Sequence, residues 1–595
     1  MTAIPNNNNK RTAFNSTFYI ANTMEIFERL AWYGFFTLSS LYMTSPSAQG
    51  GLGFSDQERG FLQGMIPFLL YLFPVFTGAL ADRYGYKRMF ILSFIIMAPS
   101  YYLLGQVTEF WSFCAVFLAV AIGAACFKPI VVGTVGRVTD DSNRGLGFGI
   151  FYTMVNIGGF LGPLIAGYVR VIGWDMVFIM SSLWIAINFI PAIFFYQEPT
   201  TTKSTKSIKE VFSEVQEVLG NARLALLVVP LIILLMVSAK GAISFNTSIV
   251  IIAIWLITNL AWDKFIKRKL ISSANDAAFI PWYRSPIKLG NKPFIVYLLI
   301  LTGFWAMYLQ LFITTPLYIR DFINTQDLVS FLSDNMPSWL PFLAAVNLEQ
   351  LTDFINTKAM LSNKLTPSSL QQLYFELVNY KVMVPIDEIQ KSLVLIQQNQ
   401  TSSIEVAKQW AERYRQINPE YIINLDFGII VFCQLFISNV CARYKALPVI
   451  VVGTLVVALG LLLGGVAHGL LLGGTVMVTA IIVFAFGEMI ASPKSQEYVA
   501  AIAPKENTAM YMGYYFVSMA LGNLFAGLLS GWGYGYFAKE LNSPMLMWLM
   551  FASIGIFSAI LLVIFNSKWL PNWQQREDSN NASKPQLNSE NIATS

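Results

Sequence analysis

Uninterrupted apolar blocks constrain this chain more than any other feature. Residues 224–237, 447–466, 470–486 and 545–565 hold no charged side chain. A run of about 20 apolar residues is the length of helix that crosses the hydrocarbon core of a bilayer. Lipid offers the backbone no hydrogen-bond partner, so such a run must satisfy its amides internally, as helix. Composition agrees: 55% of the residues are hydrophobic and 12% are charged, about half the charged share of a soluble domain. The lipid bilayer is therefore the solvent for most of the chain, and the fold class expected is an all-α polytopic membrane protein.

Several classes are disfavoured on the same grounds. A net charge of +5 over 595 residues is no nucleic-acid footprint. Cys114, Cys126, Cys433 and Cys441 lie in or at the ends of apolar runs without metal-ligand spacing, which favours packing over a disulfide or zinc. No phosphate-cradling loop, metal cluster or nucleophile with its base is present, so no enzyme, cofactor or metal is expected. His468 is the only histidine, so a side-chain proton path must run on carboxylates. The first apolar stretch carries Glu25, Glu28 and Arg29, which a cleavable signal segment would not.

Charge clusters and Gly/Pro punctuation place spans at 17–43, 60–82, 89–105, 110–135, 147–169 and 174–196. A second set falls at 293–318, 422–441, 446–467, 470–490, 509–529 and 544–565. Between them, 224–239 and 248–262 add a pair, for about 14 spans. The expected organisation is a six-helix bundle (1–200), a linker with two extra helices (201–292), the first helix of a second bundle (293–319), a soluble helical insert (320–421), the rest of that bundle (422–570) and a disordered tail (571–595).

Lys and Arg gather in alternate short loops: Arg83, Lys87 and Arg88, then Arg137 and Arg144, then Lys264, Lys267, Arg268 and Lys269. The loop 106–109 has none. By the positive-inside rule both termini face the cytoplasm of a plasma (inner) membrane and the insert lies outside. Within the insert, Thr366 before Pro367 reads as a helix start, and Ile386, Ile389, Leu393 and Ile396 recur at helical spacing. A helical cap packed on itself or on the outer mouth is expected, with docking of an unknown partner as the sharper alternative.

Charges inside the spans are where function should sit. With Glu25 at zero on an ideal helix, Arg29 falls at about 40°, Tyr33 at about 80° and Glu28 at about −60°, one face in all. An unpaired charge at the bilayer centre costs about 2.5–3.5 kcal/mol on insertion scales, so this face must look into protein or a wet cavity. Lys128 and Asn156 lie in later spans of the first half, and Glu488 follows a long apolar run in the second. Snorkelling is the plain alternative for Lys128, and a helix-to-helix hydrogen bond for Asn156. Glu25, Glu28 and Glu488 against Arg29 and Lys128 leave one negative charge that a proton can neutralise.

These residues carry a resemblance. Glu25-Ile-Phe-Glu28-Arg29-Leu30-Ala-Trp32-Tyr33-Gly34 resembles the ExxERFxYYG signature of the proton-dependent oligopeptide transporters of the major facilitator superfamily, and Phe127-Lys128-Pro129 resembles their fourth-helix motif. Phe304-Trp305 with Gln310, and Gly487-Glu488, Ser492-Pro493, Ala503-Pro504, Met512-Gly513, Gly522-Asn523 and Ala526-Gly527, are similar to motifs of the seventh, tenth and eleventh helices. Gly78, Asp82, Arg83, Gly85, Lys87 and Arg88 resemble the gating loop of the wider superfamily. The departures are Leu309 where many members carry an acid, Ile130 for an asparagine, Leu425 for a proline and Tyr515 for a tryptophan.

The resemblance implies a major facilitator fold that imports short peptides with protons by alternating access. It implies that Glu25, Glu28 and Arg29 couple protons and that Arg29, Tyr33 and Lys128 hold the peptide carboxylate. Asn156, Trp305, Gln310 and Glu488 would engage the rest of the peptide, Glu488 its ammonium end. A carrier for another small zwitterion or anion, such as an amino acid, a modified peptide or nitrate, is the neighbouring alternative. A non-transporting receptor that signals through the insert is the alternative from another class.

Overall fold

The computed structural model describes residues 14–140, 143–199, 221–239, 243–272, 282–288, 290–360, 366–503 and 508–571. The expected tail beyond Pro571, most of the polar N-terminus, much of the linker and Pro504 fall outside them. The described residues are helical almost throughout, with one isolated β-bridge between Val382 and Arg415.

The first half comprises α1 (Ser16–Thr44), α2 (Asp56–Leu72), α3 (Pro74–Tyr84), α4 (Tyr86–Leu104), α5 (Phe110–Val138), α6 (Arg144–Val169) and α7 (Trp174–Ile187). The linker contributes α8 (Ala222–Ala239) and α9 (Phe245–Ser272). The second half opens with α10 (Lys292–Tyr308), α11 (Gln310–Ile313) and α12 (Thr315–Phe322). It resumes after the insert with α19 (Pro419–Ile423), α20 (Leu425–Cys441), α21 (Ala446–Val466), α22 (Gly473–Ile502), α23 (Thr508–Gly533) and α24 (Pro544–Ile564).

Eleven helical stretches among the described residues are long and apolar enough to cross a membrane. The first helix is not among them because Glu25, Glu28 and Arg29 crowd its middle. Sequence spacing suggested single helices at 60–82 and 293–318, but both are interrupted. Pro74 starts a new helix after α2, and the seventh helix breaks at Leu309 and again before Pro316. Proline has no amide to continue the ladder, and Pro74 and Pro316 each stand in the first turn of the helix that re-starts. Conversely, α22 extends through Pro493 to Ile502, well past the expected end at 490.

Lipid-facing and protein-facing surfaces separate cleanly. Phe432 and Leu435 on α20 are each 83% exposed, which only an apolar solvent tolerates on this scale. The two halves meet along α2 with α23 and along α6 with α20. Both seams rely on missing side chains. A Cβ on Gly527 would stand 2.3 Å from the backbone nitrogen of Gly64 and 2.4 Å from the Gly60 carbonyl oxygen, closer than atoms pack.

The insert folds on itself through α13 (Gln326–Asn335), α14 (Leu340–Leu343), α15 (Leu348–Met360), α16 (Pro367–Leu377), α17 (Ile386–Gln397) and α18 (Ser403–Arg413). Thr366 caps α16 in a capping box with Ser369. Leu351, Leu370, Leu377, Ile389, Leu393 and Trp410 build a separate apolar core. It sits against the end of the bundle: Phe375 packs on Phe322, Phe342 on Tyr168 and Tyr421, and Asp327 accepts from the amide and hydroxyl of Thr475 at 2.7 Å each.

Candidate functional site: a charged chamber between the halves

The first-helix cluster forms as helical spacing requires. Arg29 Nε lies 3.2 Å from Glu25 Oε1 one turn earlier and also grips the adjacent Glu28, with all three buried. The Arg29 guanidinium stands 5.6 Å from the Tyr33 ring centre. Close approach of α6 makes room for this: a Cβ on Gly158 would meet Arg29 Cβ at 2.5 Å. Lys128, half-buried on α5, lies within electrostatic reach of Glu25. Its ammonium sits 4.1 Å above the ring of Tyr71, a cation–π partner on α2 that the sequence did not suggest.

The second half answers across the gap. Glu488 on α22 accepts a hydrogen bond from the Tyr308 hydroxyl at 2.8 Å, and Asp426 on α20 lies within hydrogen-bonding reach of the same carboxyl. Tyr33 joins the two sets: electrostatically it sees Arg29 and Glu28 on its own helix, Tyr71 on α2 and Glu488 on the far half. Its ring also meets Phe427 at 4.9 Å. Tyr152 on α6 faces Glu488, Tyr33 and Tyr515. Glu25, Arg29, Lys128 and Glu488 therefore border one region between the bundles.

Asp426 revises the charge count. It lies within the apolar span at 422–441, in the first turn of α20, and sequence reasoning passed over it. With it, four carboxyls (Glu25, Glu28, Asp426, Glu488) face two cations (Arg29, Lys128), an excess of two negative charges rather than one.

Other expected site residues are less open. Gln310 is fully buried; its amide donates to the carbonyls of Ala306 and Ala526 at 3.0 and 3.2 Å, and its oxygen accepts from Thr314. Asn156 donates to the Tyr152 carbonyl of its own helix at 2.8 Å. Trp305 packs against Gly522 and edge-on to Tyr308 and Tyr515. Tyr515 shares a 2.7 Å hydrogen bond with Ser495.

At the insert end the seam is shut by a buried polar network. Arg59 on α2 donates to Gln63 at 2.9 Å, to Ser530 on α23 at 3.1 Å and to the Ile313 carbonyl at 3.2 Å. Ser40 donates to the same carbonyl at 2.7 Å. Two ion pairs flank it, Lys539 with Asp56 and Arg170 with Glu420, each at 2.9 Å. Sequence reasoning named none of these groups.

The expected gating loop is held within the first half. Gly85 has φ +94°, a left-handed backbone that favours glycine, and the amides of Tyr86 and Lys87 donate to the Glu198 carboxylate at 2.6 and 3.0 Å. Gly78 packs near Pro129, and Lys87 Nζ reaches the Ile193 carbonyl at 2.8 Å. Arg83 stacks over Tyr84 and Arg88 is exposed, while the side chain of Asp82 is not among those described. Glu198, not singled out from sequence, supplies the anionic partner.

Two bundles closing on a buried charged region define a multi-pass membrane transporter fold. The chain belongs to the Major Facilitator Superfamily, whose family model matches residues 26–348 and 421–589 and leaves out most of the insert. Among curated relatives, the chain is 29% identical over 157 residues to the peptide transporter YePEPT of Yersinia enterocolitica, covering 25% of this chain and 30% of that protein. It is 28% identical over 177 residues to a di-/tripeptide transporter of Lactococcus lactis, covering 29% and 35%. The alignments thus span about a third of the curated relatives' length. The fold resembles that of a POT family transporter solved with a thioalcohol-conjugated peptide, with TM-score 0.59, 16% identity and 93% and 96% of the two chains covered. An auto-inhibited POT family peptide transporter matches at TM-score 0.58 and 15% identity, over 93% and 97%.

Proposed function

We propose that the chain is a proton-coupled importer of di- and tripeptides that works by alternating access. The observation that carries this reading is the division of charge across the gap: cations of the first half, Arg29 and Lys128, stand opposite the Asp426–Glu488 carboxyls of the second, with Tyr33 between. A zwitterion with its carboxylate toward Arg29 and Lys128 and its ammonium toward Glu488 spans both halves and draws them together. A proton on the first-helix carboxyls loosens their hold on Arg29 and frees it for the peptide carboxylate, which links proton binding to substrate affinity. A second proton held between Asp426 and Glu488 relieves their mutual repulsion. In this reading the insert end is external, both termini are cytoplasmic and the membrane is the plasma membrane.

A carrier for free amino acids is the second reading, favoured by one feature. Leu309, in place of an acid common in the resembling family, is buried at the break after α10 and offers no charge there. Uptake of labelled dialanine and, separately, of labelled alanine into proteoliposomes under an inward proton gradient tests both. Competition by unlabelled dipeptides but not by single amino acids or nitrate supports the peptide reading. Competition by amino acids alone supports the second, and no uptake of either sinks both.

A further inference from the structure

A cavity of about 140 Å³ lies at the insert end, far along α1 and α6 from the Glu25–Arg29 cluster. Its wall is composite: Gln49 and Arg170 come from the first half, Arg320 from α12, and Asn347, Asn379 and Lys381 from the insert. Three cations line it and none of its lining residues is acidic. The carboxylates that serve two of them stand behind the wall, Glu420 on Arg170 at 2.9 Å and Asp321 on Arg320 at 2.6 Å.

Lys381 has no such partner: it forms no ion pair with any described residue. Its backbone is also unusual, with φ +63°, a left-handed conformation that costs a lysine about 1–2 kcal/mol. The turn Val378–Tyr380 and the bond from the Gln416 amide to the Lys381 carbonyl at 2.9 Å hold it there. Burial first, and then the Arg170 guanidinium, push the Lys381 amine down from 10.5 to about 7, against the pull of Glu420. An ammonium in that setting gains from any anion that enters, and the buried Gln49 amide nitrogen, which has no hydrogen-bond partner among the described residues, adds a neutral donor.

We propose that this cavity binds a small anion, a carboxylate or an oxyanion, between Lys381, Arg170 and Arg320. Because the wall belongs to the first half, the second half and the insert together, the bound anion bridges all three and favours the closed insert end. The inference is independent of what the central chamber carries. The source of the anion is either a substrate's free carboxylate or an inorganic ion, and the probes separate them.

The test is thermal unfolding of the purified full-length protein titrated with N-acetylalanine, inorganic phosphate and alaninamide. The expected result is a saturable rise in Tm with N-acetylalanine, with phosphate or with both, and none with alaninamide. The rise persists in Lys381→Arg and in the chamber variant Lys128→Ala, and its half-saturation weakens at least about tenfold in Lys381→Met, the loss of one charge-assisted contact. A response to both anions identifies a general oxyanion site, and a response to N-acetylalanine or phosphate alone identifies the source. No saturable rise with either anion, a rise unchanged in Lys381→Met, or a rise that vanishes in Lys128→Ala overturns the proposal. The last two outcomes leave the chamber reading intact.

Discussion

Gly527→Ala should pry open the insert end without touching the chamber. The added methyl would sit 2.3 Å from the Gly64 nitrogen and 2.4 Å from both Gly60 oxygen and Gly64 Cα, all backbone atoms of α2 that no rotamer change can move. Relief needs the two helices about 1 Å further apart, and overpacking of this kind costs about 1–3 kcal/mol. That cost falls only on the closed arrangement, so the open population should rise about 5- to 150-fold. Ser530 reports it, because it is fully buried in the seam and bonded to Arg59 and Thr314. In a protein with its four cysteines replaced by alanine, Ser530→Cys should react with a water-soluble maleimide faster by that factor once Gly527→Ala is added. Gly513→Ala is the control, since a Cβ there meets nothing within 4 Å. An unchanged labelling rate in a normally folded Gly527→Ala protein would show that α2 and α23 do not gate this end.

Glu420→Gln strands the Arg170 guanidinium, with a side chain only 8% exposed, and should cost about 3–5 kcal/mol, seen as a lower Tm and as faster labelling of Ser530→Cys. Lys381 gives a pH signature. Its folded-state value of about 7 lies below that of the unfolded chain, so the folded protein binds fewer protons between about pH 7 and 10 and stability rises across that window. The charges that face it are Arg170 and Glu420, and Lys381→Met should flatten this part of the Tm–pH curve. Asp426→Asn should suppress proton-driven dialanine uptake at least about tenfold while leaving dialanine exchange across the membrane measurable; loss of both or neither would remove the Asp426–Glu488 pair from proton coupling.

Much of the architecture was legible because lipid enforces a simple rule, that long apolar runs become helices, and charges within them stand out. Glu25, Glu28 and Arg29 declared themselves by spacing on one helix. Asp426 hid near the start of its span, where an acid reads as an ordinary helix-end residue, and its meaning depends on Glu488, far away in sequence. Tyr71 and Tyr308 look like packing aromatics until Lys128 and Glu488 are seen against them. Arg59 was unreadable for a different reason: it lies four residues past the Ser55 cap, where charge is expected at an interface, and only folding shuts it between α2 and α23. The insert's core was visible as periodic apolar positions, whereas the cavity it shares with the bundle depends on a left-handed turn at Lys381 that no local pattern announces.

Both ends of the insert grow from the same half of the molecule, at α12 and at α19. Its bonds to Asp327's partner Thr475 and to Phe322 stay within that half, while Arg170, Tyr168 and Gln49 lie on the other. If access alternates as proposed, the bundles part at this end with the insert travelling as a flap hinged on one jamb, peeling from Tyr168 and Arg170 as it goes. A rigid binder that straddles Phe342 and Tyr168 would then act as a wedge through the door handle, holding the machine in one pose for as long as it stays attached.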